Sequence, residues 1–303
     1  MFTCILYELF TAIPVYLLYL SLVKKFFGFV LLIFCASYSW GMTDTVYVQT
    51  ALTNMGNYDT YRTTFSKSAV FQKNNDFIYT NTGEELSLTV INLDTVAHDL
   101  SWHDGLSEGV LFAGGSLTVT RTFSSLGTYG LYLTDFIGDR LGAFLPICVG
   151  LENQNHSLWN FWEMDQFISA DIVNGTLNTI PTDYRPDIYT INAYHYPTTQ
   201  VDTLGLIEGS VGDSIYISMI NAGNMVHSIH FHGFHVEIVQ ITKQGNRLNW
   251  KKDSVPFVEN ETATLLLVPD KSGNYPVHDH NLISVLTNNV YPGGMISMIL
   301  ISP

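Results

Sequence analysis

Cysteine is nearly absent from this chain of 303 residues, which holds only Cys4, Cys35 and Cys148. Two of the three fall within the first 39 residues, so a chain trimmed there keeps Cys148 alone and can form no intrachain disulfide. Basic side chains are scarce too: 13 Lys and Arg stand against 27 Asp and Glu, for a formal net charge of −14. That balance argues against nucleic acid as a partner, because phosphate backbones are bound through basic surface. It suits a protein that meets cations or small molecules. Charged residues reach only 13% while hydrophobic residues reach 47%, the composition of an ordered chain. Also missing are a Gly-rich phosphate loop, a GxSxG elbow, a CxxC pair and an HExxH helix.

The first 39 residues stand apart. "SLVKKFFGFVLLIFCASYSWG" runs from the basic pair Lys24 and Lys25 through an apolar stretch to small residues. That order predicts a secretory signal cleaved after Ser39, and hence a secreted or periplasmic protein. A retained membrane anchor is the alternative, helped by "FTAIPVYLLYL" upstream. Cleavage would remove two Lys and one Glu, taking the net charge from −14 to −15.

From residue 45 onward, short β-rich runs alternate with turn residues: "ELSLTVINL", "GSLTVTRTF", "SIYISMIN", "HVEIVQIT", "TATLLLVP". Their alternation and β-branched content predict an all-β chain; only "WNFWEMDQFISADIV" offers a short helix. The chain also repeats itself. "GEELSLTVINLDTVAHDLSWHDG" (83 to 105) lies over "GDSIYISMINAGNMVHSIHFHGF" (212 to 234) without a gap. Asn92 thus meets Asn221, His98 meets His227, Ser101 meets His230, and His103 meets His232. A second block, "GTYGLYLTD" (127 to 135), lies over "GNYPVHDHN" (273 to 281), setting Tyr132, Leu133 and Thr134 opposite His278, Asp279 and His280. Two copies of one β-domain are expected, over 45–150 and 186–303, with 151–185 as the connection. "LWNFW" in that connection is too aromatic for a free linker.

Four of the ten histidines fall within "HSIHFHGFH", residues 227 to 235. On a strand i and i+2 share a face, so His230 and His232 point one way and His227 the other. In "VHDH", His278 and His280 share a face and Asp279 looks away. Two HxH pairs in matching repeat blocks predict imidazoles converging on a metal, of which Cu, Zn, Fe and Ni all suit neutral imidazole. A lone histidine would read as a hydrogen-bonded core or surface residue; two such pairs reverse that. His227 and Asp279 should face each other across the strands, either as an imidazole–carboxylate hydrogen bond or as a second metal site. His98 is its echo in the first copy. Asp104, directly after His103, is either a proton shuttle or a turn carboxylate. His235 reads as a surface or supporting residue, and Cys148 in "LPICV" as a small buried hydrophobe.

"HSIHFHG" resembles the HxxHxHG element of multicopper oxidases, and "HDHNLISVLTNNVYPGGM" stands where that family has its HCH element and a later Met. "HDLSWH" has the spacing of an element in copper nitrite reductases, and "HDHNLISV" resembles a stretch of their second domain. The resemblance covers about 45–150 and 186–303 and implies two cupredoxin-like Greek-key β-sandwich/barrel domains in tandem. It implies copper as cofactor, and a homotrimer in which one subunit's first domain meets a neighbour's second. Carried over residue by residue, His230, His232, His278 and His280 match ligands of the type 2/type 3 copper cluster, and His103 matches a further one from the first domain. Ser101, Tyr132 and Thr134 occupy three places where the family has histidine, so at most five ligands remain. At the type 1 site His227 matches the first ligand and Met295 the axial one, but Asp279 replaces the cysteine. A carboxylate cannot form the soft Cu–thiolate bond of a blue centre.

Three functions are then open. One is a copper-dependent oxidoreductase with a histidine-only site, acting on a small-molecule substrate or oxidant and fed directly or by an electron-donor protein. Another is a protein that binds or sequesters copper without turnover. In the third, metal only clamps the trimer.

Overall fold

The computed structural model describes residues 41–303 other than Asn57 and Asn288. The expected leader over 1–39, with Cys4 and Cys35, lies outside the described residues. Among those described, no helix is long and apolar enough to cross a membrane.

The first part of the chain forms β1 (Met42–Asn54), β2 (Asp59–Ser66), β3 (Ile78–Thr80), β4 (Glu85–Asn92) and β5 (His98–Trp102). It continues with β6 (Ser107–Leu111), β7 (Ser116–Thr122), β8 (Gly127–Leu133), the short helix α1 (Phe136–Arg140) and β9 (Phe144–Val149). The second part holds β10 (Asn155–Met164), helix α2 (Ser169–Val173), β11 (Ile188–Ile191), β12 (Ile207–Ser210), β13 (Ile215–Asn221) and β14 (His227–Phe231). After these come β15 (Val236–Ile241), β16 (Lys251–Lys252), β17 (Ser254–Phe257), β18 (Thr262–Leu267), β19 (Gly273–Asp279) and β20 (Ile296–Ser302).

These strands make two β-sandwiches in tandem. The first packs the sheet β2-β1-β4-β7 on the sheet β3-β9-β8-β5-β6. The second packs β11-β10-β13-β18-β15-β16 on β12-β20-β19-β14-β17, the same order with an added edge. Each sandwich encloses its own apolar core. One is built around Val46, Leu88, Trp102 and Leu131, the other around Phe161, Ile217, Phe231 and Leu265. The alternation seen in the sequence is the cause, since one face of each strand is buried between sheets and the other is not.

The internal repeat survives down to single hydrogen bonds. Asn92 donates from its side-chain amide to the carbonyls of Val96 at 2.8 Å and Leu111 at 3.1 Å. Asn221 donates likewise to Met225 at 2.7 Å and Phe257 at 3.1 Å. Each also accepts at Oδ1 from the backbone N–H two residues on. Gly83 and Gly212, aligned in the repeat, both turn into their strands with φ of 79° and 88°, a conformation that side-chain-bearing residues seldom adopt.

The stretch 151–185 differs from a simple connection. β10 runs parallel to β13, with Phe161 opposite Asn221, as β1 runs parallel to β4 with Val48 opposite Asn92. Eight consecutive residues, Ser157 to Met164, are buried, and a strand covered on both faces needs no alternation. That is why "WNFWEM" forms sheet, leaving only Ser169–Val173 as helix. The two sandwiches meet through a polar seam. Tyr79 Oη lies 2.9 Å from His156 Nδ1, and His156 Nε2 lies 2.8 Å from Ser218 Oγ. Cys148, a buried free thiol, packs beside the same serine.

Because Asn221 closes a loop with three hydrogen bonds in a buried setting, Asn221→Ala is expected to destabilise the fold by ~2–3 kcal/mol. Denaturant unfolding monitored by tryptophan fluorescence checks this, and Asn92→Ala should cost a similar amount.

Candidate metal centre

β14 and β19 are neighbours and antiparallel, with His230 opposite His278 and Ile229 opposite Asp279. On both strands burial alternates, so His227, Ile229, Phe231, Val277 and Asp279 point into the sandwich while His230 and His278 point out. His232 and His280 continue the outward face just past the strand ends. Four imidazoles therefore gather on one patch. Ring centroids lie 4.7 Å apart for His230–His232, 5.1 Å for His232–His278, 5.5 Å for His230–His280 and 5.8 Å for His230–His278.

Their Nδ1 atoms are partly spoken for. His230 Nδ1 donates to the Asp253 carbonyl at 3.1 Å and stands 2.8 Å from Ser254 Oγ. His278 Nδ1 donates to the Asp279 carbonyl at 2.8 Å. Each such bond sets the tautomer that leaves Nε2 with a lone pair. His232 Nε2 and His278 Nε2 are 3.0 Å apart, and with His278 accepting, His232 is the donor. Imidazole–metal bonds of about 2.0–2.1 Å place two ligands of one ion roughly 2.9–3.4 Å apart, so that pair already has the spacing a cation requires. Burial, and then the charges of His230, His278 and His280, hold His232 below the usual histidine range, which favours the neutral form that binds metal. Among the described residues no three His, Cys, Asp or Glu side chains are already closed around one point. His230 and His280 would have to turn toward the His232–His278 pair to complete a set.

Behind this patch lies a different arrangement. His227 Nδ1 is 2.7 Å from Asp279 Oδ2, and His227 Nε2 is 2.9 Å from Glu163 Oε2. All three side chains are fully buried. Both ring nitrogens donate, so the imidazole is cationic and has no lone pair for a metal; of the two roles open to His227 and Asp279, this geometry is the hydrogen-bonded one. Burial opposes the charged ring, yet the bonds from Asp279 and Glu163 outweigh it and push His227 up to about 9. The imidazolium in turn outweighs the burial of Asp279 and lowers its carboxyl. Met295 is buried beside them, its carbonyl 3.2 Å from the Asp279 amide.

The first sandwich carries the same device. His98 Nδ1 and Nε2 each lie 3.0 Å from a carboxylate, those of Asp135 and Asp94. Here too burial is outweighed and His98 is pushed up to about 9. The second carboxylate comes from different elements in the two copies. Asp94 sits in the loop after β4, whereas the aligned residue is Gly223, where a Cβ would fall 1.8 Å from Glu163 Oε2. The registers of β1 and β10 make Glu163 the counterpart of Thr50, whose hydroxyl donates to Asp94 at 2.6 Å. Glu163 has one signal in the sequence, a lone carboxylate in an aromatic strand paired with a missing one at Gly223.

The remaining candidates lie elsewhere. His103 occupies in the first sandwich the position His232 has in the second, and its ring neighbour is Tyr129 at 5.1 Å. Its Nδ1 is buried without a partner, and burial holds it below the usual range. Asp104 is exposed, paired with Arg121, and accepts from the Leu106 amide at 3.2 Å. Arg121 holds it below the ordinary carboxylate range, the behaviour of a turn carboxylate. His235 is exposed.

Residues 175–291 match the family model described as multicopper oxidase. No curated protein matches the chain in sequence. Among solved structures, a blue copper oxidase from Nitrosomonas europaea is similar at TM-score 0.68 and 20% identity, over 86% of this chain and 85% of that one. The multicopper oxidase mgLAC gives 0.69 and 17%, over 86% of each chain. A copper nitrite reductase from Nitrosomonas europaea gives 0.62 and 13%, over 86% and 94%. At these identities the likeness is one of fold.

The two buried imidazoliums set a pH dependence. Their folded pKa of about 9 exceeds the ordinary 6.5, so each contributes on the order of 3 kcal/mol below pH 6.5, lost as pH rises through 9. The thermal midpoint should fall between pH 7 and pH 10, and His98→Gln should flatten part of that slope. A midpoint constant across that interval would contradict the assignment of charge.

Proposed function

We propose that this chain, whose residues 175–291 match the multicopper oxidase family model, is a copper-dependent oxidoreductase of that type without a blue centre. Its metal is held by His230, His232, His278 and His280. One observation carries this reading: two HxH pairs on adjacent strands face each other, with the Nε2 atoms of His232 and His278 3.0 Å apart. Copper bound there supplies one-electron exchange with a small oxidant or reductant. The chain's part is to present neutral, oriented imidazoles. Asp253, Ser254 and the Asp279 carbonyl fix the ring faces of His230 and His278. The lowered basicity of His232 favours its neutral form, whose Nε2 proton must shift to Nδ1 before that nitrogen can bind a metal.

The type 1 position cannot relay electrons. Asp279 stands there in place of a thiolate, and His227 spends both nitrogens on carboxylates. Cys148, the one cysteine among the described residues, lies at the seam between sandwiches. Electrons must therefore arrive directly from a small-molecule substrate or from a donor protein. His103 is proposed as a fifth ligand from a neighbouring copy in a homotrimer, supported by its equivalence to His232 in the repeat. Export to a secreted or periplasmic compartment, from the pattern over 24–39, belongs to the same proposal. The loss of the thiolate relay also favours a second reading, in which copper is held or sequestered without turnover.

Purified protein should bind copper with nitrogen hyperfine structure in its electron paramagnetic resonance spectrum and without intense blue absorption. His278→Ala should weaken binding at least ~10-fold. Copper-dependent O2 consumption with a phenolic or ferrous substrate, lost in His278→Ala, supports the oxidoreductase, and stoichiometric copper without turnover supports the binding role. A strong blue band, or no copper uptake at all, ends both.

A further inference from the structure

Glu163 is a fully buried carboxylate on β10, in the sheet opposite the one that carries the histidine patch. Its Oε2 accepts from His227 Nε2 at 2.9 Å and its Oε1 from the Asn224 amide at 2.6 Å. His227 carries the contact on to Asp279 Oδ2, while Asp279 Oδ1 accepts from the amides of Ser228 at 2.9 Å and Asn281 at 3.1 Å. Those two amides bracket the site. Ser228 lies two residues before His230, and Asn281 directly follows His280. The Ser228 carbonyl also accepts from the His280 amide at 2.7 Å. One charged column, running across the sandwich from the far sheet, thus ends on the backbone that carries both HxH pairs.

We infer that Glu163 is a positioning residue for the four-histidine site: through His227 and Asp279 it sets the spacing of the strand ends that bear His230, His232, His278 and His280. The inference rests on the copper site proposed above. Its specific support is the contrast between the two sandwiches. Both contain a buried imidazole between two carboxylates, fully buried in the second sandwich and partly exposed in the first. The first, however, has Ser101, Tyr132 and Thr134 where the second has histidines. In that sandwich the outer carboxylate, Asp94, comes from the adjoining loop and is tied to Thr50 of β1. In the second sandwich the carboxylate stands on the β10 backbone itself. Gly223 keeps the loop clear for it, since a Cβ there would fall 1.8 Å from Glu163 Oε2. Moving the charge from a loop to a sheet strand anchors the column at a rigid point.

Matched substitutions separate positioning from general stability. Glu163→Gln and Asp94→Asn each replace one acceptor oxygen by an amide beside an equivalent imidazole, so both should lower the thermal midpoint. Copper affinity is then measured on the folded full chain by competition with a chelator, together with the electron paramagnetic resonance spectrum. Glu163→Gln should weaken copper binding at least ~10-fold and alter the nitrogen hyperfine pattern, while Asp94→Asn should match the wild type in both. Should Glu163→Gln fail to fold, Glu163→Asp carries the test, with binding weakened about threefold and a shifted spectrum. Wild-type affinity and spectrum in the Glu163 variant would overturn the inference alone. Equal loss in Asp94→Asn would overturn it too, in favour of a stability effect. A wild type that takes up no copper would remove the proposed function and this inference with it.

Discussion

The pairing of β14 with β19 is the constraint on which the rest depends. Successive side chains on a strand point to opposite faces, so a register with His230 opposite His278 dictates both faces at once. Outward go the imidazoles of two HxH pairs; inward go His227 and Asp279. Slipping either strand by one residue would put the metal-seeking rings into the core and the charged pair into solvent. The outer chemistry and the inner clamp are thus two consequences of one pairing.

The inner clamp shows how a sandwich core can carry charge. A carboxylate moved alone into an apolar interior costs several kcal/mol, and the second sandwich buries two of them with one imidazolium. Each ring nitrogen has an acceptor, and the outer carboxylate oxygens are met by backbone amides. A fully satisfied network of this sort holds one geometry, whereas a partly satisfied one would be worse than apolar packing. The first sandwich reaches the same balance with Asp94, His98 and Asp135. The device is therefore common to both copies of the repeated fold, and the four-histidine patch stands on one copy alone.

Legibility in the sequence followed the range of the interaction. The all-β class, the two copies and the facing of His227 with Asp279 could be read because alternation and an ungapped repeat are local signals. The character of 155–164 was not legible, because a strand buried on both faces lacks alternation and resembles a short helix or an aromatic linker. Glu163 escaped for a related reason. Its partner His227 is 64 residues away, and the repeat puts Thr50 rather than an acid at the equivalent place.

The amino-acid sequence alone determined which faces the histidines take, that no thiolate stands between His278 and His280, and that one β-domain occurs twice. Each follows from residue order and the period of a strand. Tertiary structure decided the rest: that β10 joins the second sandwich, that His232 and His278 approach to hydrogen-bonding distance, and that a carboxylate from the opposite sheet closes the column behind them. These depend on which sheet packs against which, and no pattern confined to one strand encodes the distance across a core.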